Sequence, residues 1–166
     1  DIDGDTLTAA VQSGVAGSSG GLFAIAANGN VTFNPNGQFE DLGVGESRAT
    51  AFTYTIGDGQ GGSDSATVTV IVSGQNDAPD AVNDSFSATE NGSAGMVGNA
   101  ITNNDTDIDG DTLTATVQTG VAGSSGGLFA IAANGNVTFN PNGQFEDLGV
   151  GETRTTSFSY TISDGN

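Results

Sequence analysis

The feature that most constrains this chain is a duplication. Residues 1–60 recur as 107–166 at an offset of 106, with eight exchanges: Ala10/Thr116, Ser13/Thr119, Ser47/Thr153, Ala49/Thr155, Ala51/Ser157, Thr53/Ser159, Gly57/Ser163 and Gln60/Asn166. Residues 61–106 occur once, and no exchange touches an acidic position. A period of that length is the size of a whole domain rather than of a solenoid unit. The sequence therefore specifies one domain twice.

Within each copy the apolar residues recur with period two. Leu113, Ala115 and Val117 alternate with Thr114, Thr116 and Gln118; Phe158, Tyr160 and Ile162 alternate with Ser157, Ser159 and Thr161. Val68, Val70 and Val72 alternate with Thr67 and Thr69. This is the pattern of half-buried strands. Phe23 and Ile25, then Val31 and Phe33, flank Ala26-Ala27-Asn28-Gly29-Asn30. Asn28-Gly29 predicts a type I′ hairpin, whose two central residues need positive φ.

No segment sustains a helical period; Val97 to Asn103 is expected to form a helical turn at most. Ala66 to Val72 is expected as a final strand and Asp80 to Ala88 as a first strand. About seven short strands in roughly 100 residues predict an all-β fold, an antiparallel β-sandwich. Asn76-Asp77-Ala78-Pro79 falls between the two expected strands. Pro79 lacks an N–H and biases Ala78 toward extended geometry, which suits a short, stiff linker. Residues 1–77 are then a repeat without its first strand, and residues 78–166 a repeat without its last.

The net charge is −18, from 20 Asp and Glu against two basic residues, Arg48 and Arg154. High charge with modest hydrophobicity is also the signature of disorder, but the patterned Phe, Val, Leu and Ile favour a folded chain. Nucleic-acid binding is excluded, because it rests on Lys and Arg neutralising phosphates. Anionic membranes are disfavoured on the same ground, and no apolar run is long enough for a spanning helix. Cys and His are both absent. That removes disulfides, thiolate sites and the usual general base.

On this strand map the acids fall in loops. Asp105, Asp107, Asp109 and Asp111 alternate through Asn104-Asp105-Thr106-Asp107-Ile108-Asp109-Gly110-Asp111, and Asp1, Asp3 and Asp5 are a truncated copy. Asp58 and Asp164 each precede a glycine after a strand; Glu40, Asp41 and Glu46 lie between strands; Asn76 and Asp77 lie in the linker; Glu90 ends the expected first strand. Carboxylates this dense repel one another unless a cation sits among them, and two arginines cannot supply one at each site. Ca²⁺ suits clustered Asp side chains, taking six to eight oxygens at about 2.3–2.6 Å. An EF-hand is rejected, since its twelfth position, which must be a bidentate Glu, is Thr116. The plainer alternatives are solvated turns for the Asp-rich loop, tight-turn chemistry for Asp58 and Asp164, and surface charge for Glu40, Asp41, Glu46 and Glu90. Arg48 and Arg154 are expected to pair with neighbouring acids, and the aromatic residues to form core.

Taken in order, these motifs resemble cadherin-like domains, which implies an all-β, antiparallel Greek-key β-sandwich of the immunoglobulin/cadherin-like kind. They are more similar still to the cadherin-like, VCBS-type tandem repeats that extend large bacterial adhesins of the type I-secreted, repeats-in-toxin class. Glu90-Asn91 looks like the acidic Pro-Glu-Asn motif, with Thr89 in place of proline. Glu40-Asp41, with its copy Glu146-Asp147, looks like Leu-Asp-Arg-Glu without the arginine. Asn76-Asp77-Ala78-Pro79 matches the linker motif, Asp107-Ile108-Asp109 the Asp-x-Asp, and Asp58-Gly59 and Asp164-Gly165 the Asp-x-Gly without its spacer.

The resemblance implies that Ca²⁺ binds where these residues meet between adjacent repeats of the same chain. It also implies an extracellular location on a bacterial surface. The function expected is that of a spacer, or extender, holding an adhesive tip away from the cell. A binding module for carbohydrate, protein or ice is the alternative. An enzyme is not expected, because paired catalytic carboxylates need separated pKa values in a cleft and these acids are clustered.

Overall fold

The computed structural model describes all 166 residues, which form two compact units, Asp1–Asn76 and Asp77–Asn166. Every element is a strand and every ladder between strands is antiparallel. The first unit holds β1 (Thr8–Ala9), β2 (Gln12–Ala16), β3 (Leu22–Ile25), β4 (Val31–Asn34), β5 (Ser47–Gly57) and β6 (Ser63–Ser73). They make two three-stranded sheets, β1-β5-β6 and β2-β3-β4. The second unit holds β7 (Gly95–Asn99), β8 (Thr114–Ala115), β9 (Gln118–Ala122), β10 (Leu128–Ile131), β11 (Asn136–Asn140) and β12 (Ile162–Ser163). Its sheets are β7-β11-β10-β9 and β12-β8.

Alternation in the sequence becomes a sandwich because the apolar face of each sheet must be covered. In the first unit Phe23 of β3 stacks on Phe52 of β5 at 4.7 Å, joining the two sheets. Phe129 and Phe158 repeat the contact at 4.6 Å in the second. Phe33 and Phe139 extend the cluster at 4.8 Å from these rings. Gly21 and Gly127 let the rings in: both have positive φ, and a Cβ on either would collide with Phe33 or Phe139. Fully buried Thr50 is satisfied by the backbone, donating to Gly20 O at 2.7 Å and accepting from Ser19 N at 3.3 Å. The aromatic residues are core, as expected.

Four local expectations change. Asn28-Gly29 does not form a type I′ turn: Gly29 alone has positive φ, and its N–H donates to Ala26 O at 2.9 Å. The pattern with two successive positive φ values occurs instead at Asn36-Gly37 and Asn142-Gly143. The strand foreseen over Asp80–Ala88 is extended chain that packs Phe86 against the core but pairs only at Asp80, with Thr106. Period two reports which side chains face inward and does not supply a ladder partner.

The turn foreseen over Val97–Asn103 shifts as well. β7 runs through Asn99, and a single helical turn then closes from Asp105 N to Ile101 O at 3.2 Å. Asn99 caps that turn, its Oδ1 accepting from Ile101 N and Thr102 N. Finally, the Phe158–Ile162 strand is reduced to Ile162–Ser163. In the first unit the corresponding Phe52–Ile56 lies within the 11-residue β5, all of which pairs with β6.

Candidate metal centre

The Asp-rich loop follows the helical turn that leaves β7, and backbone amides shape it. Asp107 Oδ1 accepts from Asp109 N at 2.9 Å and Asp111 N at 3.3 Å, folding the loop around that carboxylate. Gly110, at φ +79, closes it by donating to Asp107 O. Asp109 Oδ2 accepts from Asp77 N at 2.8 Å, which ties the connecting segment to the loop. Asp105 Oδ1 accepts from Val82 N at 2.7 Å, and Asp111 Oδ2 from Asn166 Nδ2 at 2.7 Å. Three of these carboxylates, Asp105, Asp107 and Asp109, thus spend one oxygen on backbone amides.

Their other oxygens have no partner. Asp105 Oδ2, Asp107 Oδ2 and Asp109 Oδ1 are buried without a hydrogen bond, and so is Asn104 Oδ1. Outside this loop the same condition holds only at Glu90 Oε2 and at the Gln12 and Gln118 amide oxygens. A buried, unsatisfied acceptor costs about 1–3 kcal/mol and more when charged, and an ionised carboxylate can only accept. Four such atoms within six residues call for a cation. Neither arginine reaches them, since Arg48 pairs with Asp41 and Arg154 with Asp147.

Geometry supports the same reading. Asp107, Asp109 and Asp111 each offer an oxygen within 4.8 Å of the others. Two oxygens on one Ca²⁺ lie at most two bond lengths apart, about 4.6–5.2 Å. The residues fit a hard divalent ion.

Beside the loop, Tyr160 donates its hydroxyl to Asp84 Oδ2 at 2.9 Å, and Asn103 Nδ2 reaches Asp84 Oδ1 at 3.2 Å. Burial, then the bond to Asp84 and the nearby Asp105 charge, push the Tyr160 hydroxyl well above its ordinary pKa, so it stays a donor. Asp84, Asn104 and Tyr160 are not among the residues the sequence singles out as ligands. Asn104 adjoins Asp105 and could have been included. Asp84 carried no signal, because it lies in an expected strand.

The other candidates are placed differently. Asp1, Asp3 and Asp5 are exposed, and Asp1 Oδ1 merely accepts from Asp3 N. Glu40 is exposed, and Asp41 is held by Arg48 in a two-pronged pair at 3.1 and 2.6 Å. That guanidinium, which also lies over the Phe39 ring, draws the Asp41 carboxyl below its ordinary value. Asp147 and Arg154 repeat the arrangement over Phe145. Asp58 Oδ1 accepts from Gln60 N at 2.7 Å and Gly62 N at 2.9 Å, and these amides lower its pKa. It closes the β5–β6 hairpin. Asp164 Oδ1 accepts from Asn166 N, and Glu90 Oε1 from Asn91 Nδ2. Asn76 ends the first unit and Asp77 begins the second.

No curated protein matches the sequence significantly. A family model described as bacterial cadherin-like domain matches residues 1–74 and again 76–166. With two antiparallel sandwiches and an acidic loop beside the connecting segment, the chain belongs to the bacterial cadherin-like domain family.

Proposed function

We propose that these repeats are Ca²⁺-stiffened spacers of a bacterial surface adhesin. The observation that carries the reading is the set of buried, unbonded oxygens of Asn104, Asp105, Asp107 and Asp109 in a chain whose two arginines are both engaged. Asp105, Asp107, Asp109 and Asp111 would hold the ion. Its charge would offset their mutual repulsion and lock the loop. Because Asp109 already accepts from Asp77 N, a locked loop also fixes the start of Asp77-Ala78-Pro79.

A spacer role is supported by what the repeats lack and by their duplication. The aromatic rings of both copies are packed together in the cores, which leaves no aromatic platform for a sugar. Two near-identical copies add length without adding a second specificity. β5 and β6 have 11 residues each, so a sandwich of this kind contributes about 35 Å along its strands. The family supports an extracellular location.

Titration calorimetry with Ca²⁺, and with Mg²⁺ as control, tests the reading. Binding should be saturable with Ca²⁺ and largely lost in an Asp107→Asn/Asp109→Asn variant. Small-angle scattering of that variant in Ca²⁺ should show shorter and more broadly distributed end-to-end distances than the wild type. Absence of Ca²⁺ binding by the intact protein would sink the proposal.

A further inference from the structure

Five Asn-Gly pairs occur in the protein: Asn28-Gly29, Asn36-Gly37, Asn91-Gly92, Asn134-Gly135 and Asn142-Gly143. Asn-Gly is the dipeptide most prone to spontaneous deamidation, because glycine offers no side chain to shield its backbone nitrogen. The fold treats the five differently. Gly29, Gly92 and Gly135 each donate their N–H to the carbonyl three residues back, at 2.9, 3.0 and 2.9 Å. Gly37 and Gly143 donate to no protein acceptor.

The side chains divide the same way. Asn28 and Asn134 are engaged, their Oδ1 atoms accepting from Asn30 N and Asn136 N. Asn91 donates its Nδ2 to Glu90 Oε1. Asn36 and Asn142 are exposed, and their side chains bond to no protein group. A Cβ placed on Gly37 or Gly143 would meet nothing within 4 Å; the same holds at Gly29, so what sets Asn28-Gly29 apart is its hydrogen bonds. Asn36 and Asn142 are also the two non-glycine residues at positive φ, 56° and 53°, a conformation that is unfavourable for a residue with a Cβ.

We propose that Asn36 and Asn142 are the protein's sites of spontaneous deamidation, and that the folded turns protect Asn28, Asn91 and Asn134. In the reaction the Gly37 amide nitrogen loses its proton to solvent base and attacks Cγ of Asn36. The new bond from nitrogen to Cγ closes a succinimide ring as the bond from Cγ to Nδ2 breaks, and the leaving nitrogen departs with a proton as ammonia. Water then opens the ring at either carbonyl, giving aspartate or isoaspartate. No oxidant or cofactor is needed. Each event adds one negative charge to a protein already at −18.

The isoaspartate product also inserts a methylene into the backbone two residues before Gln38, whose Oε1 accepts from Gly21 N at 2.7 Å. Gln144 and Gly127 stand in the same relation in the second copy. Ageing at these turns would therefore loosen the neighbouring glycine-rich loop that admits the Phe33 and Phe139 rings.

The test is incubation of the intact wild-type protein at mildly alkaline pH. Fragment-ion mass spectrometry that separates Asn28 from Asn36 and Asn134 from Asn142 then reads each site, with a parallel sample held in denaturant. In denaturant all five sites should react at comparable rates. In the folded protein Asn36 and Asn142 should lead the others by about fivefold to tenfold, the factor expected when a competing site must first give up a hydrogen bond. Equal rates at the five sites in the folded protein, or slow reaction confined to Asn28, Asn91 and Asn134, would overturn the proposal. So would folded-state protection of Asn36 and Asn142 as strong as that of the other three.

Discussion

Phe52 and Phe158 hold the same position in the repeat and stack on the same partner, Phe23 or Phe129. Phe52 is 4% exposed, whereas Phe158 is only partly buried. Thr50 and Thr156 differ in the same sense. In the first unit β6 pairs along the whole of β5, whereas residues 153–161 lie in no ladder. At the other side the advantage reverses. Val137 is 1% exposed where Val31 is half-buried, because Ala100 and Ile101 join its core. Gly135, packed against Ile101 and Asn99, corresponds to Gly29 in open space. Corresponding residues of near-identical copies thus pack to different depths, and burial is a property of the neighbours as much as of the residue.

The largest expected effect tests that difference directly. Phe52→Ala should destabilise its unit by about 3–5 kcal/mol, as truncation of a buried ring does, and Phe158→Ala should cost clearly less. Denaturant titration followed by hydrogen exchange can separate the copies, because residues 47–60 and 153–166 differ at several positions. A synthetic peptide of the Ser63–Ser73 sequence, added in trans, should slow exchange in 153–166 and raise the cost of Phe158→Ala. Equal losses from the two substitutions would break the comparison.

Metal removal should separate the units next. An ion bound only by the folded state at a hundredfold excess over its Kd adds about 2.7 kcal/mol. Chelator should therefore accelerate exchange in residues 96–116 and leave residues 47–60 unchanged. An equal response in both would mean that the exposed Asp1, Asp3 and Asp5 bind as well as their buried copies.

Acid gives the smallest effect. Asp41, Asp58 and Asp147 have pKa values below the ordinary 3.8 in the folded protein. A depressed carboxyl contributes stability that is full above the unfolded value and is lost as pH falls through the folded one. Stability should thus decline below about pH 3.8. The Asp41 and Asp147 contributions should be alike, since each is held by its arginine, and the Asp58 part is tied to the hairpin into β6. Asp58→Asn should flatten the acid limb for residues 47–60 alone. An unchanged limb would show that its amide bonds form equally in the unfolded state.

The strands and core were legible in the sequence, because a period of two maps directly onto the two faces of a sheet. Phe23, Ile25, Phe52 and their copies needed no structure to be placed inside. The pairing of arginines with nearby acids was also legible, given how few bases the protein has. Segment 80–88 and most of Phe158–Ile162 read as strands and are not, since a strand exists only through its partner's hydrogen bonds.

The site divides along the same line. Alternating aspartates marked a candidate cation site, yet Asp1-Ile2-Asp3-Gly4-Asp5 and Asp107-Ile108-Asp109-Gly110-Asp111 are the same words. The first set is exposed; in the second every Asp is partly buried. The difference comes from residues 77–106, which donate the amides of Asp77 and Val82 to Asp109 and Asp105 and lay backbone over the loop. Sequence by itself determined the acidic clusters and the sandwich period. Only the tertiary structure decided which carboxylates leave water, because desolvation depends on which backbone packs over an oxygen.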